Sequence, residues 1–287
     1  MAQHTEALGP AHEVTVGGTR IRYHDTGSGP PMVFVHGVFA NADLWHELVP
    51  QLSAAGYRCL APDWPLGSQE IPALGQDLAP SAVADLIAGF LAELDLEDVT
   101  VVGNDTGGAL TQLLFTRHPE RIGRVVLTSA DCYEQFFPGS LKLLTLFARI
   151  PGSMRVLTEL LRFSALHPLA YGMLSKRGVP LDVRESFLAP ARNNAAVRRD
   201  LRRFNAGVHR RYTLAAASEF PRFTKPVLLA WSGADRFFPS SLAHRLAGDL
   251  PNASLRFIAD SYTFSPIDQP QRLAELILEF AGQHAPS

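Results

Sequence analysis

Gly103-Asn104-Asp105-Thr106-Gly107 lies between a β-branched run, Val99-Thr100-Val101-Val102, and a stretch with helical spacing from Gly107 to Phe115. The run reads as a buried strand and the later stretch as a helix packed on it, so only a sharp turn fits between them. A residue at the tip of such a turn is held in a strained backbone conformation. Gly103, Gly107 and Gly108 supply the small neighbours that this requires. Asp105 is therefore expected to stand exposed above the sheet. Taken alone, the pentapeptide also fits a plain strand-to-helix loop with Asp105 as the helix N-cap.

Two further motifs bear on that choice. Upstream, Pro31 to Phe39 is a buried strand running into His36-Gly37-Val38-Phe39, followed by a loop and a helix around Leu44 to Ala54. Such a loop can offer one backbone N–H, from Val38 or Phe39, and Thr106 a second, which together make the two donors of an oxyanion hole. Downstream, Val227 to Pro239 is a strand ending in a loop that carries Asp235. The three motifs in this order resemble the α/β-hydrolase family across essentially the whole chain after the first dozen residues. The resemblance implies an α/β fold, a mostly parallel sheet flanked by helices with an inserted helical cap, and Asp235 as the acid of the family's triad.

The remaining elements fit. Glu13 to Val16 and Arg20 to His24 read as an antiparallel pair turned at Gly17-Gly18, with strands at Tyr57 to Pro62 and Ile122 to Ser129 and a helix from Ser81 to Leu94. Strands alternating with helices imply a parallel sheet whose active groups gather at the carboxyl ends. The alternation fails from Tyr133 to about Pro221, where Leu141 to Ile150, Met154 to Phe163 and Arg198 to Phe204 read as helices. The core is thus expected in residues 1–132 and 222–287, and a cap in 133–221 that serves as a lid over Asp105. The cap's arginines, Arg198, Arg199, Arg202, Arg203, Arg210 and Arg211, read as a solvated face in preference to an anion site.

The composition of the 287 residues, 46 % hydrophobic and 19 % charged, allows a large core. A formal charge of −2 leaves no footprint for nucleic acid or an anionic membrane. No apolar run is long enough to span a bilayer, and the first residues lack a signal peptide's basic and apolar regions, so a cytoplasmic location is expected. Cys59 and Cys132 read as small core residues. With no paired metal-ligand spacing and no dinucleotide or phosphate-binding glycine loop, neither metal nor cofactor is expected; the expected partner is a small-molecule substrate, and the oligomeric state is open.

In the resembled family the chain order is nucleophile, acid, histidine, and the histidine lies between the last strand and the last helix. Here the strand is Ala253 to Ala259, the helix begins near Gln269, and the loop between them, Asp260 to Asp268, holds no histidine. Aligning it with the family pattern places Thr263 in the histidine's slot. His244, within a helix, and His284, at the tail, are expected out of reach. An aspartate nucleophile forms an ester that a base must then help water to cleave, and threonine is no base near neutral pH. Three readings follow: a natural site using Asp105 differently, a histidine recruited from elsewhere, or an engineered His-to-Thr trap.

Aspartate-elbow members of the family include haloalkane dehalogenases, fluoroacetate dehalogenases and epoxide hydrolases. Thr106 stands where the first carry a halide-holding tryptophan and the second an arginine, Val38 stands where haloalkane dehalogenases often carry asparagine, and Phe39 replaces a proline of epoxide hydrolases. Tyr133, Tyr171 and Tyr212 are available as the cap tyrosines that epoxide hydrolases use, or as packing residues. Asp131 and Glu134 stand where some dehalogenases keep their acid; Asp131 equally suits a cap at the lid's entry or an ion pair. His36 reads as a structural residue of its turn, and His209 as a surface histidine that could swing over the pocket. The expectation is an enzyme acting on a small, largely apolar molecule. Asp105 attacks a carbon–halogen or epoxide carbon, with His36, Val38, Phe39, Thr106, Asp131 and Tyr133 around it. Asp105 as a general base for rearrangement, elimination or cyclisation is the alternative, and a ligand-binding pseudoenzyme a third.

Overall fold

A computed structural model describes residues 6–161, 163 and 171–284. Residues 1–5, on which the reading of the start partly rests, and 162, within the expected helix to Phe163, lie outside the described set.

The sheet has eight strands in the order β1-β2-β4-β3-β5-β6-β7-β8. β1 (Ala11–Val16) and β2 (Thr19–Thr26) form the expected hairpin, with Val16 opposite Thr19, and β2 runs antiparallel to β4 (Arg58–Pro62). From β4 onward through β3 (Pro31–Val35), β5 (Val99–Asp105), β6 (Ile122–Ala130), β7 (Val227–Ser232) and β8 (Ala253–Ile258) every pairing is parallel. Parallel strands need helical crossovers, which cover both faces and explain the continuously apolar strand sequences. β3 illustrates this: Val33 and Val35 enter the core cluster on one face and Met32 and Phe34 that on the other. β5 is buried along its whole length between β3 and β6, and it ends in Asp105.

α1 (Val49–Ala54), α2 (Pro80–Glu93) and α3 (Thr106–Arg117) belong to this α/β layer. Between β6 and β7 lie α4 (Lys142–Ala148), α5 (Ser153–Leu160), α6 (Leu181–Asn193), α7 (Ala195–Gly207) and α8 (Arg211–Glu219). α6 and α8 were not legible as helices. Pro190 sits inside α6, and burial of Val183, Phe187, Leu188 and Ala191 holds the helix through a residue that ordinarily breaks one. α7 is anchored by its one acid: buried Asp200 accepts from Ala73 N at 2.8 Å and Gln69 Nε2 at 3.1 Å, while Arg198 closes α6 by donating to the carbonyls of Ala191 and Arg192. Of the arginines read as a solvated face, Arg199, Arg210 and Arg211 are exposed, whereas Arg198, Arg202 and Arg203 are half-buried.

α9 (Ser240–Asp249), α10 (Ser265–Asp268) and α11 (Pro270–Gln283) complete the fold. The stretch after β8 is therefore not a plain loop. Asp268 is fully buried and accepts from Ser175 Oγ (2.7 Å), Lys176 N (2.9 Å), Arg177 N (3.0 Å) and Tyr262 N (2.9 Å). Four donors on one carboxylate fix the segment before Thr263 and tie it to the segment before α6.

Candidate active site

Asp105 ends β5 with φ 55° and ψ −128°, outside the regions that a non-glycine residue ordinarily occupies. That conformation costs on the order of 1–3 kcal/mol. It persists because the elbow is jammed between its neighbours: a Cβ on Gly107 would overlap the carbonyl oxygen of Val35, and one on Gly108 would overlap the Ala130 side chain. The N-cap alternative is excluded, since the Asp105 side chain makes no capping hydrogen bond to α3. Nor does Asp105 stand exposed. Only 8 % of its surface is accessible, and the residue lines a cavity.

The cavity measures about 190 Å³ and is lined by Asp105, Thr106, Val38 and Phe39 from the α/β layer, and by Phe137, leucines and Tyr171 from the segment between β6 and β7. Apart from the elbow and the tyrosine hydroxyl its walls are apolar, and Tyr171 donates that hydroxyl to the Phe39 carbonyl at 3.3 Å. Asp105 packs directly on the His-Gly turn, because a Cβ on Gly37 would overlap its Oδ2. One donor was expected from that turn, Val38 or Phe39, and Phe39 N–H is directed to the Leu66 carbonyl at 3.4 Å. Val38 N–H is left as the available one.

Three carboxyls gather here. Burial above all, opposed by the adjacent Thr106 N–H and aided by the charge of Asp235, pushes the Asp105 carboxyl up to about 7. Asp131 is fully buried, with Oδ2 accepting from Thr106 Oγ1 at 3.1 Å and Oδ1 unpartnered. Burial first, then the nearby Asp105, hold it well above the carboxylate range. It is thus neither a cap nor a partner for an arginine; Glu134 takes that part with Arg245 at 3.0 Å. Burial also raises Asp235, although its Oδ1 accepts from Phe237 N (2.8 Å), Phe238 N (2.9 Å) and Thr263 Oγ1 (3.1 Å).

Thr263 is fully buried beside Asp235, and its carbonyl accepts from Asn104 Nδ2 at 2.7 Å. Asn104 also donates to Thr128 Oγ1 at 2.6 Å, so the second residue of the elbow motif pins the loop after β8 to β5. That role went unread in the sequence, although the residue lies inside the quoted motif. The cavity leucines and Asp268 were missed as well, because leucines in short helices carry no signal of which face they present.

None of the described histidines lines the cavity; His4 and His167 lie outside the described residues. His36 spans its own turn, with Nε2 accepting from Trp64 N at 2.9 Å and Nδ1 on the Gly37 carbonyl at 2.9 Å, a neutral structural ring. His209 is exposed and accepts from Arg211 N, His244 stacks near Phe257, and His284 packs on Phe280. Tyr133 was expected at the substrate and is not there: its hydroxyl donates to Asp249 Oδ2 at 2.8 Å and its ring lies under Arg245. The reason is local, since β6 ends at Ala130 and Tyr133 turns with φ 52° away from the cavity. Tyr212 packs on Arg211, which leaves Tyr171 as the cavity's tyrosine among the described residues. These residues hold no group of three or more His, Cys, Asp or Glu side chains placed for a metal, and no helix long and apolar enough to cross a membrane.

An eight-stranded sheet with an elbow of this geometry at the end of its fifth strand defines a class, and comparison with known proteins agrees. The alpha/beta hydrolase fold matches residues 30–270, and the chain belongs to that family. It is 27 % identical over 97 % of both chains to a 2-hydroxy-6-oxononadienedioate/2-hydroxy-6-oxononatrienedioate hydrolase of Cupriavidus pinatubonensis. It is 28 % identical to haloalkane dehalogenase 2 of Mycobacterium bovis over 92 % of each chain. The solved structure of the haloalkane dehalogenase DatA from Agrobacterium tumefaciens superposes with a TM-score of 0.79 at 18 % identity, covering 98 % of this chain and 100 % of that one. The protein is an enzyme of the α/β-hydrolase fold.

Proposed function

We propose that Asp105 acts on a small, apolar substrate by proton transfer, in a cavity that residues 133–221 cover as a lid. One observation carries this reading: Asp105 is the carboxyl of an otherwise apolar cavity, poised by burial near neutrality, with no described histidine beside it. A carboxyl with a pKa near the working pH exchanges a proton effectively in both directions. The same shift leaves it partly protonated and weakens it as a nucleophile. Support for a lid comes from Leu141, Leu144, Leu157 and Tyr171, which form the wall opposite the elbow. Asp235 acts on Asp105 through its charge and Asp131 acts through its hydrogen bond to Thr106, and neither lines the cavity.

Nucleophilic attack is the second reading, favoured by the available Val38 N–H beside Gly37. An Asp105 oxygen would then bond to carbon as halide leaves or as the epoxide oxygen takes up a proton, leaving an ester on the enzyme. Intact-protein mass after incubation with haloalkane and epoxide panels distinguishes the two. A stable added mass on Asp105 would replace the proton-transfer reading. Conversion without an adduct, slowed when the substrate carries deuterium at the carbon that loses its proton, is the expected outcome.

Thr263 satisfies its hydroxyl on Asp235 and its carbonyl on Asn104, which favours it as the site's own residue over an engineered replacement. Thr263→His is expected to place an imidazole against Asp235 and to shorten the lifetime of any alkyl-enzyme ester at least tenfold. The larger ring must displace neighbours, so a crystal structure of the variant accompanies the kinetics. An imidazole bonded to Asp235 that leaves ester lifetime unchanged would remove residue 263 from consideration as the base position.

A further inference from the structure

α4 and α5 pack on each other and present apolar side chains in two directions. Inward, Leu144 and Leu157 line the Asp105 cavity. Outward, Leu143, Leu146, Ile150 and Val156 are 66, 59, 55 and 55 % exposed, and Phe147 and Leu160 are exposed beside them. A helix that is apolar on all sides belongs in an interior, and an exposed apolar patch of this extent on a folded protein marks a surface that something else covers.

The charges indicate what covers it. Lys142, Arg149 and Arg155 are exposed, each is next in sequence to one of the outward apolar residues, and none makes an ion pair among the described residues. Glu159 is the sole acid between residues 139 and 161; it is half-buried and its charge acts on Arg192 of α6. A second copy laid on this face by a two-fold axis would set cations against cations in a contact of low dielectric. An anionic lipid surface complements both properties, taking the apolar side chains into the headgroup–acyl boundary and the cations onto phosphate.

We propose that the outer face of the α4–α5 pair docks on an anionic lipid surface. The net charge of −2 concealed this, because a local excess of three cations over one acid is diluted by acids elsewhere. The helices that touch the membrane are also those that wall the cavity, so docking places the Asp105 cavity next to the lipid.

Vesicle flotation of the whole chain tests this, using phosphatidylcholine alone and phosphatidylcholine with phosphatidylglycerol, at low and high salt. The expected result is binding to the anionic vesicles, at least tenfold weaker on the neutral ones and weakened by salt. Reversing Lys142, Arg149 and Arg155 to glutamate is expected to lower partition about a hundredfold or more. Leu146→Ser with Ile150→Ser is expected to lower it at least tenfold. All five side chains are exposed, so both variants should keep the wild-type melting temperature; a triple glutamine variant replaces the first if it does not. The proposal falls if anionic vesicles bind no protein, if neutral vesicles bind equally, or if the folded variants bind like wild type. It falls also if light scattering finds a dimer that the two serine substitutions dissolve, which would give the face to a second copy.

Discussion

Asp105→Asn is expected to yield a protein that is more stable than wild type above neutral pH and nearly inactive. The stability half follows from linkage. In the folded chain the Asp105 carboxyl titrates near 7, against 3.8 for the ordinary group. Between those values the native state holds a proton that the unfolded state has released, so stability falls as pH rises, and the full penalty stands above 7. Asparagine is neutral and similar in shape. The gain at pH 8 should be a few kcal/mol, because each pH unit separating the folded and unfolded titrations is worth about 1.4 kcal/mol, and it should shrink towards zero near pH 4. The activity half follows from chemistry: an amide neither accepts the proton nor attacks carbon, and turnover should drop by roughly 10² to 10⁴ or more. Denaturant curves for both proteins at pH 4.5 and 8, with turnover on the same samples, check the two halves together. A folded variant with wild-type turnover, or with no stability gain at pH 8, would remove Asp105 from the centre of the site.

Gly107→Ala is expected to have the largest effect on folding. Its Cβ would overlap the Val35 carbonyl oxygen and approach that of His36 to 2.6 Å, and both are backbone atoms of β3 and its loop. Backbone held in a central strand cannot swing aside as a flexible side chain can. The cost should be roughly 4 kcal/mol or more, at the diagnostic end of single-residue effects. Gly37→Ala is the instructive contrast, because the atoms nearest its Cβ belong to the Asp105 side chain and not to backbone. That variant should fold and lose activity through a displaced carboxyl. Guanidinium midpoints give the comparison; a wild-type midpoint for Gly107→Ala would show that the elbow is not packed against β3 as described.

Linkage and packing together describe a trade of stability for reactivity. A strained backbone angle, a carboxyl buried with two others nearby, and a cavity in place of core atoms each reduce stability, and all three converge on Asp105. The exposed apolar side chains on the outer face of α4 and α5 lie on the helices that also wall the cavity.

The order of the three motifs made the fold legible through the family resemblance it carries, whereas the elbow pentapeptide alone also fitted a plain strand-to-helix loop. Strand positions read well because a strand buried on both faces is written as a continuous apolar run, and β3, β5, β6 and β7 each carry one. The absence of histidine between Asp260 and Asp268 was equally plain from residue identities. Which faces meet was not. Pro190 argues locally against α6, and only the burial of Phe187 and its neighbours overrides it. Tyr133 and Tyr171 look alike along the chain, yet one hydroxyl reaches Asp249 and the other the cavity rim at Phe39. The rise of the Asp105 carboxyl towards 7 likewise depends on bringing positions 105 and 235 together inside an apolar space. Desolvation and charge act through distance in three dimensions, which only the packed chain sets.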